Sequence, residues 1–420
     1  MHLSAHLDLD VLAHETDDQL SVLVELTAPE QQPTTGDRAP STLVIVLDRS
    51  GSMAGPRLDQ AKAAVTALVD QLDPNDRFEL VTFDQHPAVA VAAGPLSDKA
   101  AVKRAIAQVH PGGSTDLSGG YLRGLQEARR VAGPTGATVL LISDGHANAG
   151  ITDPGQLGGL ARQAQTSKIT TSTVGMGLGY DERLLSAIAS GGVGNEHFAE
   201  TADEAAELIA GEVDGLLALA VQAASLTVRM SPYVQAVQVI NDLTVAGLPD
   251  GVMIELGSLY AGETRKLIMT LAVPGIPALG LAEIATLELG YVALPALEQQ
   301  TITLPLHVNV VPGDQAAGRI PDPVVRTEAA FQRAQQAKRE ASSAWSADDP
   351  RAAAAALGNA RRLLRAAAAA APAPMAAELT DELGLIEQLA HESSYGDVTR
   401  AAKISSADAA LKSRSRGRRR

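Results

Sequence analysis

Two short, nearly unbroken apolar runs, Leu43-Val-Ile-Val-Leu47 and Ala137-Thr-Val-Leu-Leu-Ile-Ser143, constrain this chain more than any other feature. A strand with apolar side chains on both faces has to be covered on both faces, as happens in parallel sheets. Between and after the two runs the pattern switches to a helical period. Leu58, Ala61, Val65, Leu68, Val69 and Leu72 fall on one face of a helix. Similar spacing predicts helices over 98–109, 117–132, 154–166, 181–189 and 203–219. Strands are predicted over 77–83, 88–92, 169–174 and 196–199, with 88–92 at an edge. Alternating strands and helices imply an α/β fold, a doubly wound and mostly parallel, Rossmann-like sheet over 39–219.

The flanking segments obey a different period. Residues 1–38 hold two alternating strands, with Leu3, Ala5, Leu7, Leu9 and Val11 in the first and Leu20, Val22, Val24 and Leu26 in the second. A linker rich in Pro, Gly and Thr follows over 29–40. Alternation returns over 225–230, 234–240, 252–256, 265–273, 284–292 and 301–310, an all-β unit spanning 220–312. Two strands alone make no stable sheet. The N-terminal pair is therefore expected to join this unit, with the α/β domain inserted in a β-sandwich. Residues 322–396 are expected to form a helical hairpin or bundle, with helices over 328–346, 350–371 and 375–393. Residues 397–420 are expected to be a disordered basic tail.

Composition narrows the function classes. The chain has no cysteine, which excludes disulfides, thiolate metal sites and Cys nucleophiles and fits a reducing compartment. The formal net charge of −15 argues against non-specific nucleic-acid binding by the body. Six cationic residues sit in the last nine positions, Lys412 to Arg420. That tail could contact RNA, anionic lipid or an acidic partner, and the plainer alternative is a solubilising end that touches the acidic body. The first ten residues carry acids where a secretory leader needs an apolar run. The most apolar stretch, 267–282, is broken by Pro274 and Pro277. A cytoplasmic protein is expected.

The chemistry gathers at the ends of the two apolar runs. Asp48-Arg-Ser50-Gly-Ser52 follows the first at once, and Ser143-Asp144-Gly145 closes the second. In an open α/β sheet ligands bind at the carboxyl ends of the strands. A third segment, Gly112-Gly-Ser-Thr115-Asp116, precedes a helix. Together these supply two carboxylates and three hydroxyls, all oxygen donors of the type a hard divalent cation takes. A cation held largely by neutral hydroxyls retains positive charge and still attracts a carboxylate. Each residue also has a local alternative. Asp48 and Ser50 could cap the following helix, Thr115 or Ser114 the helix near Leu117, and Asp144 could form an Asx turn with Gly145. Asp116 is read as a charge at a helix N-terminus rather than a ligand.

Asp48-x-Ser50-x-Ser52, the distant Thr115 and the strand-following Asp144-Gly145 resemble the complete metal-ion-dependent adhesion site of von Willebrand factor A domains. The flanks Leu47-Asp-Arg-Ser-Gly-Ser-Met53, Gly113-Ser-Thr-Asp116 and Leu141-Ile-Ser-Asp-Gly145 are similar to bacterial intracellular members. The resemblance covers roughly residues 40–215. It implies Ser50, Ser52 and Thr115 as direct ligands of Mg²⁺, with Mn²⁺ and Ca²⁺ as alternatives. Asp48 and Asp144 bind directly or through water, and a Glu or Asp of a protein partner completes the shell. It also implies work beside AAA+ ATPases or signalling proteins such as kinases and phosphatases.

The expected function is a metal-dependent protein-binding module, an adaptor or scaffold rather than an enzyme. One alternative is a metal-assisted hydrolase with Asp116 or His146 as base. Another is a homo-oligomeric scaffold, joined through the C-terminal helices, whose metal is structural. Gly175-Met-Gly-Leu-Gly179 resembles a dinucleotide loop but lacks its third glycine, and a tight turn is the plainer reading. His86, His110 and His146 are scattered and are read as structural or solvated. The sequence holds no P-loop and no convincing nucleophile elbow, and Ser50 stands where haloacid-dehalogenase phosphatases carry a second Asp.

Overall fold

A computed structural model describes residues 1–30, 40–133, 135–145 and 147–414. Most of the linker, His146 and the last six residues lie outside the described residues. The chain divides into two compact units. One comprises 31–222 with 293–298, and the other 1–30, 223–292 and 299–420.

The chain opens with β1 (His2–Leu7), β2 (Val11–Ala13) and β3 (Asp18–Thr27). The α/β unit then begins with β4 (Thr42–Asp48), a 3₁₀ turn at Gly51–Met53, and α1 (Pro56–Gln71). Next come β5 (Arg77–Phe83), β6 (Ala88–Pro95), α2 (Lys99–Ala107), α3 (Leu117–Val131) and β7 (Ala137–Ser143). The unit continues through α4 (Pro154–Gln165), β8 (Ile169–Met176), α5 (Glu182–Gly191), β9 (Val193–Ala199) and α6 (Ala202–Leu217).

Its sheet has the order β6-β5-β4-β7-β8-β9. Every pairing is parallel except β5 with β6, the edge strand the sequence placed there. All seven residues of β4 are buried because the strand lies between two neighbours and two helical layers. Leu43, Ile45 and Leu47 pack toward α1 and α6 with Leu58, Val65, Leu68 and Ile209. Val44 and Val46 pack the other way, with Leu117, Tyr121, Leu125, Leu157 and Leu184 from α3, α4 and α5. The unbroken apolar run is thus the signature of a strand with two cores. The chain leaves β4 for β5 on one side and later returns to β7 on the other. This reversal of strand order opens a crevice at the carboxyl ends of β4 and β7.

The other unit carries β10 (Leu219–Met230), β11 (Ala236–Val239), β12 (Val245–Leu248), β13 (Gly251–Tyr260), β14 (Thr264–Val273), β15 (Gly280–Ala293) and β16 (Glu298–Val311). These form two sheets, β1-β3-β14-β11 and β12-β13-β10-β15-β16-β2. The N-terminal segment holds three strands where two were expected. The first expected strand breaks after Leu7, so β1 pairs with β3 in one sheet and β2 runs parallel to β16 in the other. β3 is sandwiched between β1 and β14, its register running Asp18 opposite Val273 to Thr27 opposite Thr264.

The helices are α7 (Gly313–Ala316), α8 (Pro323–Ser346), α9 (Pro350–Ala368), α10 (Ala373–Tyr395) and α11 (Val398–Arg414). They belong to the same compact unit as the two sheets, with Val325 and Ala329 of α8 packed on Leu23, Ile240 and Ile268. The expectation of a disordered tail from 397 is corrected over 398–414. α11 buries Ala401, Ala402, Ala409 and Ala410 together with Lys403, Ser405 and Ser406. Its polar face is paired rather than solvated. Ser405 Oγ donates to the Lys338 carbonyl at 2.8 Å, and Lys412 Nζ to Glu382 Oε2 at 2.7 Å. Arg414 donates from Nε to the Asp242 carbonyl at 3.1 Å. A helix whose buried face is alanine, serine and lysine has only a weak apolar period to detect. No helix among the described residues is long and apolar enough to cross a membrane.

Candidate metal centre

Backbone hydrogen bonds stitch the three loops together before any side chain is considered. Arg49 N donates to the Phe83 carbonyl at 2.8 Å, which holds the loop after β4 against the end of β5. Gly112 N donates to the Arg49 carbonyl at 2.6 Å, and Gly51 N to the Gly113 carbonyl at 2.8 Å. Asn148 N donates to the Thr115 carbonyl at 3.0 Å, tying in the loop after β7. Glycine is required at 112 because a Cβ there would stand 1.9 Å from Asp84 Oδ2.

The side chains then converge. Asp48 is buried at the end of β4, where its Oδ1 accepts from Ser50 N at 2.8 Å and its Oδ2 from Ser143 Oγ at 2.6 Å. Ser50 Oγ and Ser52 Oγ lie 3.1 Å apart, and Ser52 Oγ donates to Asp144 Oδ1 at 2.7 Å. Thr115 is buried on the third loop. A Cβ placed on Gly145 would stand 3.4 Å from Ser52 Oγ, 3.4 Å from Thr115 Oγ1 and 3.9 Å from Asp48 Oδ2. Oxygen atoms from two of the loops therefore gather around Gly145 on the third, at a small space that its missing side chain leaves open. Burial pushes the Asp48 carboxyl above its usual range, and the nearby Asp144 charge adds to this. The hydrogen bonds from Ser143 and Ser50 pull in the other direction. A buried carboxylate pair of this kind calls for a cation.

The family model of the von Willebrand factor type A domain matches residues 42–211. The chain carries this domain. Among curated proteins, the uncharacterised protein sll0103 of Synechocystis sp. is 28% identical over 292 residues, covering 66% of this chain and 68% of its own. YfbK of Escherichia coli is 31% identical over 180 residues, and human inter-alpha-trypsin inhibitor heavy chain H4 is 26% identical over 177. Those two matches span only 31% and 18% of the relatives' length. Among solved structures, a von Willebrand factor type A protein from Catenulispora acidiphila superposes with a TM-score of 0.75 at 18% identity, over 98% of this chain and 96% of that one. The ArnB paralog VWA2 of Sulfolobus acidocaldarius gives 0.64 at 15% identity, over 99% of each chain. These likenesses extend the shared fold beyond the A domain to the sheets and helices that flank it.

The A domain brings together all five residues singled out in the sequence: Asp48, Ser50, Ser52, Thr115 and Asp144. The local alternatives fare differently. Helix α1 has Gly55 as its N-cap residue and no side-chain cap, so neither Asp48 nor Ser50 caps it. Helix α3 is capped by Asp116, which accepts from Gly119 N and Ser118 Oγ, both at 2.8 Å. That occupies Asp116 and frees Thr115 from a capping role. His146 lies outside the described residues.

Sequence reasoning missed three residues of the A-domain site. Ser143 orients Asp48 and was visible only as the last residue of a strand. Arg57, on the first turn of α1, donates from Nη1 to Asp144 Oδ2 at 2.8 Å and to the Ser52 carbonyl at 3.3 Å. Arg49 pairs with the buried Asp84 at 2.9 Å beside the glycine loop. The Gly175–Gly179 stretch is the end of β8 followed by a turn, with Gly177 at φ +68, and not a nucleotide loop. A Cβ on Gly177 would lie 3.2 Å from Arg57 Nη2, and one on Gly179 would lie 2.9 Å from the Asp144 carbonyl. The turn thus packs against the site.

Proposed function

We propose that this protein is a divalent-cation-dependent binding module that captures an acidic residue of a partner protein through the ion at the A-domain site. The observation that carries this reading is the convergence of Asp48, Ser52 and Thr115 oxygens on the space at Gly145. Ser50, Ser52 and Thr115 would hold the ion through hydroxyls, with Asp48 and Asp144 binding directly or orienting its waters. The donor set is all oxygen and includes only two carboxylates, which suits Mg²⁺, with Mn²⁺ and Ca²⁺ as alternatives. Bound there, the ion supplies a charge that neutral hydroxyls leave partly uncompensated, so a Glu or Asp side chain is the fitting ligand.

Binding is favoured over hydrolysis by the state of Asp116. Of the two bases weighed for a hydrolase, Asp116 accepts two hydrogen bonds through Oδ1 at the start of α3, and His146 lies outside the described residues. We read the two sheets of the other unit as a sandwich into which the A domain is inserted in the chain. A cytoplasmic location rests on the cysteine-free composition. The test is capture of partners with and without chelator, read by mass spectrometry, for the natural protein and for Asp48→Ala. Capture that requires the metal and disappears in the variant, with an unchanged circular dichroism spectrum, is expected. Capture by the variant in the presence of chelator overturns the reading.

A further inference from the structure

One of the two buried carboxylates of the site, Asp144, meets a guanidinium that no ligand pattern includes. Asp144 is fully buried in its side chain, and Arg57, which contacts it, is 46% exposed. Arg57 Nη1 meets Asp144 Oδ2, while Asp144 Oδ1 is taken by Ser52 Oγ, itself beside Ser50 Oγ. The cation is thus wired through one carboxylate to two of the hydroxyl donors. Its position is built in. The carbonyl of Ser52 accepts from the same nitrogen, and Gly177 leaves room for the other end of the guanidinium.

The neighbouring charges do not cancel it. Arg49 and Asp84 form a pair of their own, neutral as a whole. Asp116 is turned to the positive end of α3. Asp48 and Asp144 therefore carry two negative charges and Arg57 one positive. A divalent ion would leave the cluster with one net positive charge. Without Arg57, the ion and the two carboxylates would cancel.

Resting on the binding function argued above, we propose that Arg57 is the specificity-determining residue that keeps the metal-loaded site cationic and so selects a monoanionic carboxylate ligand. Two consequences have opposite signs. Arg57 repels the incoming divalent ion and weakens metal binding. Once the ion is in place, Arg57 strengthens binding of the anion. A residue that merely held the loop in shape would strengthen or weaken both together. Because the guanidinium is half-exposed, both effects are screened by salt.

The experiment uses the full chain and two probes, Mn²⁺ alone and acetate. Mn²⁺ affinity is measured by calorimetry. Acetate binding to the Mn²⁺-loaded protein is followed by the relaxation of its methyl protons. In Arg57→Gln, Mn²⁺ is expected to bind about tenfold more tightly and acetate about tenfold more weakly at low salt, the scale of one unit charge a few ångströms away in a half-exposed site. Arg57→Lys keeps the charge and is expected to restore both values toward those of the natural protein. Both affinities moving in the same direction in Arg57→Gln, or neither moving, overturns the proposal. A natural protein that binds no Mn²⁺ overturns the metal reading itself, and this one with it.

Discussion

Replacing Gly145 with alanine separates metal binding from folding more cleanly than removing a ligand does. Gly145 does not adopt a positive φ, so alanine meets no backbone strain. Its methyl carbon would stand 3.4 Å from both Ser52 Oγ and Thr115 Oγ1, near the contact distance of about 3.5 Å, and would displace neither. In the absence of metal the substitution should be neutral, or stabilising by about 0.4–1 kcal/mol through the unfolded chain. The same methyl fills the space that an ion held at about 2.1 Å from its oxygens, together with its waters, has to occupy. At a metal concentration a hundred times Kd, the natural protein gains about 2.7 kcal/mol by linkage. For a domain of this size that is roughly 5–10 °C in Tm. Scanning calorimetry of both proteins in Mg²⁺ and in chelator reads the difference. The expected result is a Tm in chelator no lower in the variant than in the natural protein, and a metal-induced rise in the natural protein only. An equal rise in both proteins would refute the placement of the ion beside Gly145.

Two buried charge clusters give further expectations. Glu79 of β5 is fully buried, and burial together with the facing Glu127 carboxylate raises its carboxyl to about 7. The folded chain then holds this proton up to about pH 7, whereas the unfolded chain releases it near its ordinary value of about 4.5. Its contribution to stability is present below about pH 4.5 and lost as pH rises through 7. Glu79→Gln should flatten that part of the denaturation profile and stabilise the protein at pH 8 by on the order of 2 kcal/mol; a profile unchanged from the natural one refutes this. Lys338 and Glu382 are buried within 2.5 Å of each other, and Lys338 and Lys412 hold the Glu382 carboxyl down to about 2 against its burial. Stability from this pair is present above about pH 4.5 and lost as pH falls toward 2. Lys338→Met should cost up to about 3–5 kcal/mol in urea denaturation by leaving the buried Glu382 carboxylate to Lys412 alone, and Glu382→Leu in the same chain should recover part of it.

The fate of α11 shows where the sequence stops being legible. Its buried face carries Lys403, Ser405, Ser406 and Ser413, which have no apolar period. Only tertiary partners make such residues interior, Lys338 of α8 for Ser405 and the Asn241–Asp242 segment after β11 for Ser413. The split of the N-terminal strands is similar. Alternation continues through Leu9 and Val11, but the pairing of β2 with β16 depends on a strand some 300 residues away in the chain. Arg57 was invisible for the same reason: on α1 it is one charged residue among several, and its partner Asp144 arrives from β7.

The sequence by itself determined the α/β domain and the five oxygen-bearing residues of its site. Strands with two cores have to be apolar throughout, and each site residue lies in a short motif at a strand end or just before a helix. The tertiary structure alone decided that these residues come together, that Asp116 caps α3, and that Arg57 meets Asp144. Those outcomes are set by hydrogen bonds between loops far apart in the chain. Local periodicity carries no information about them.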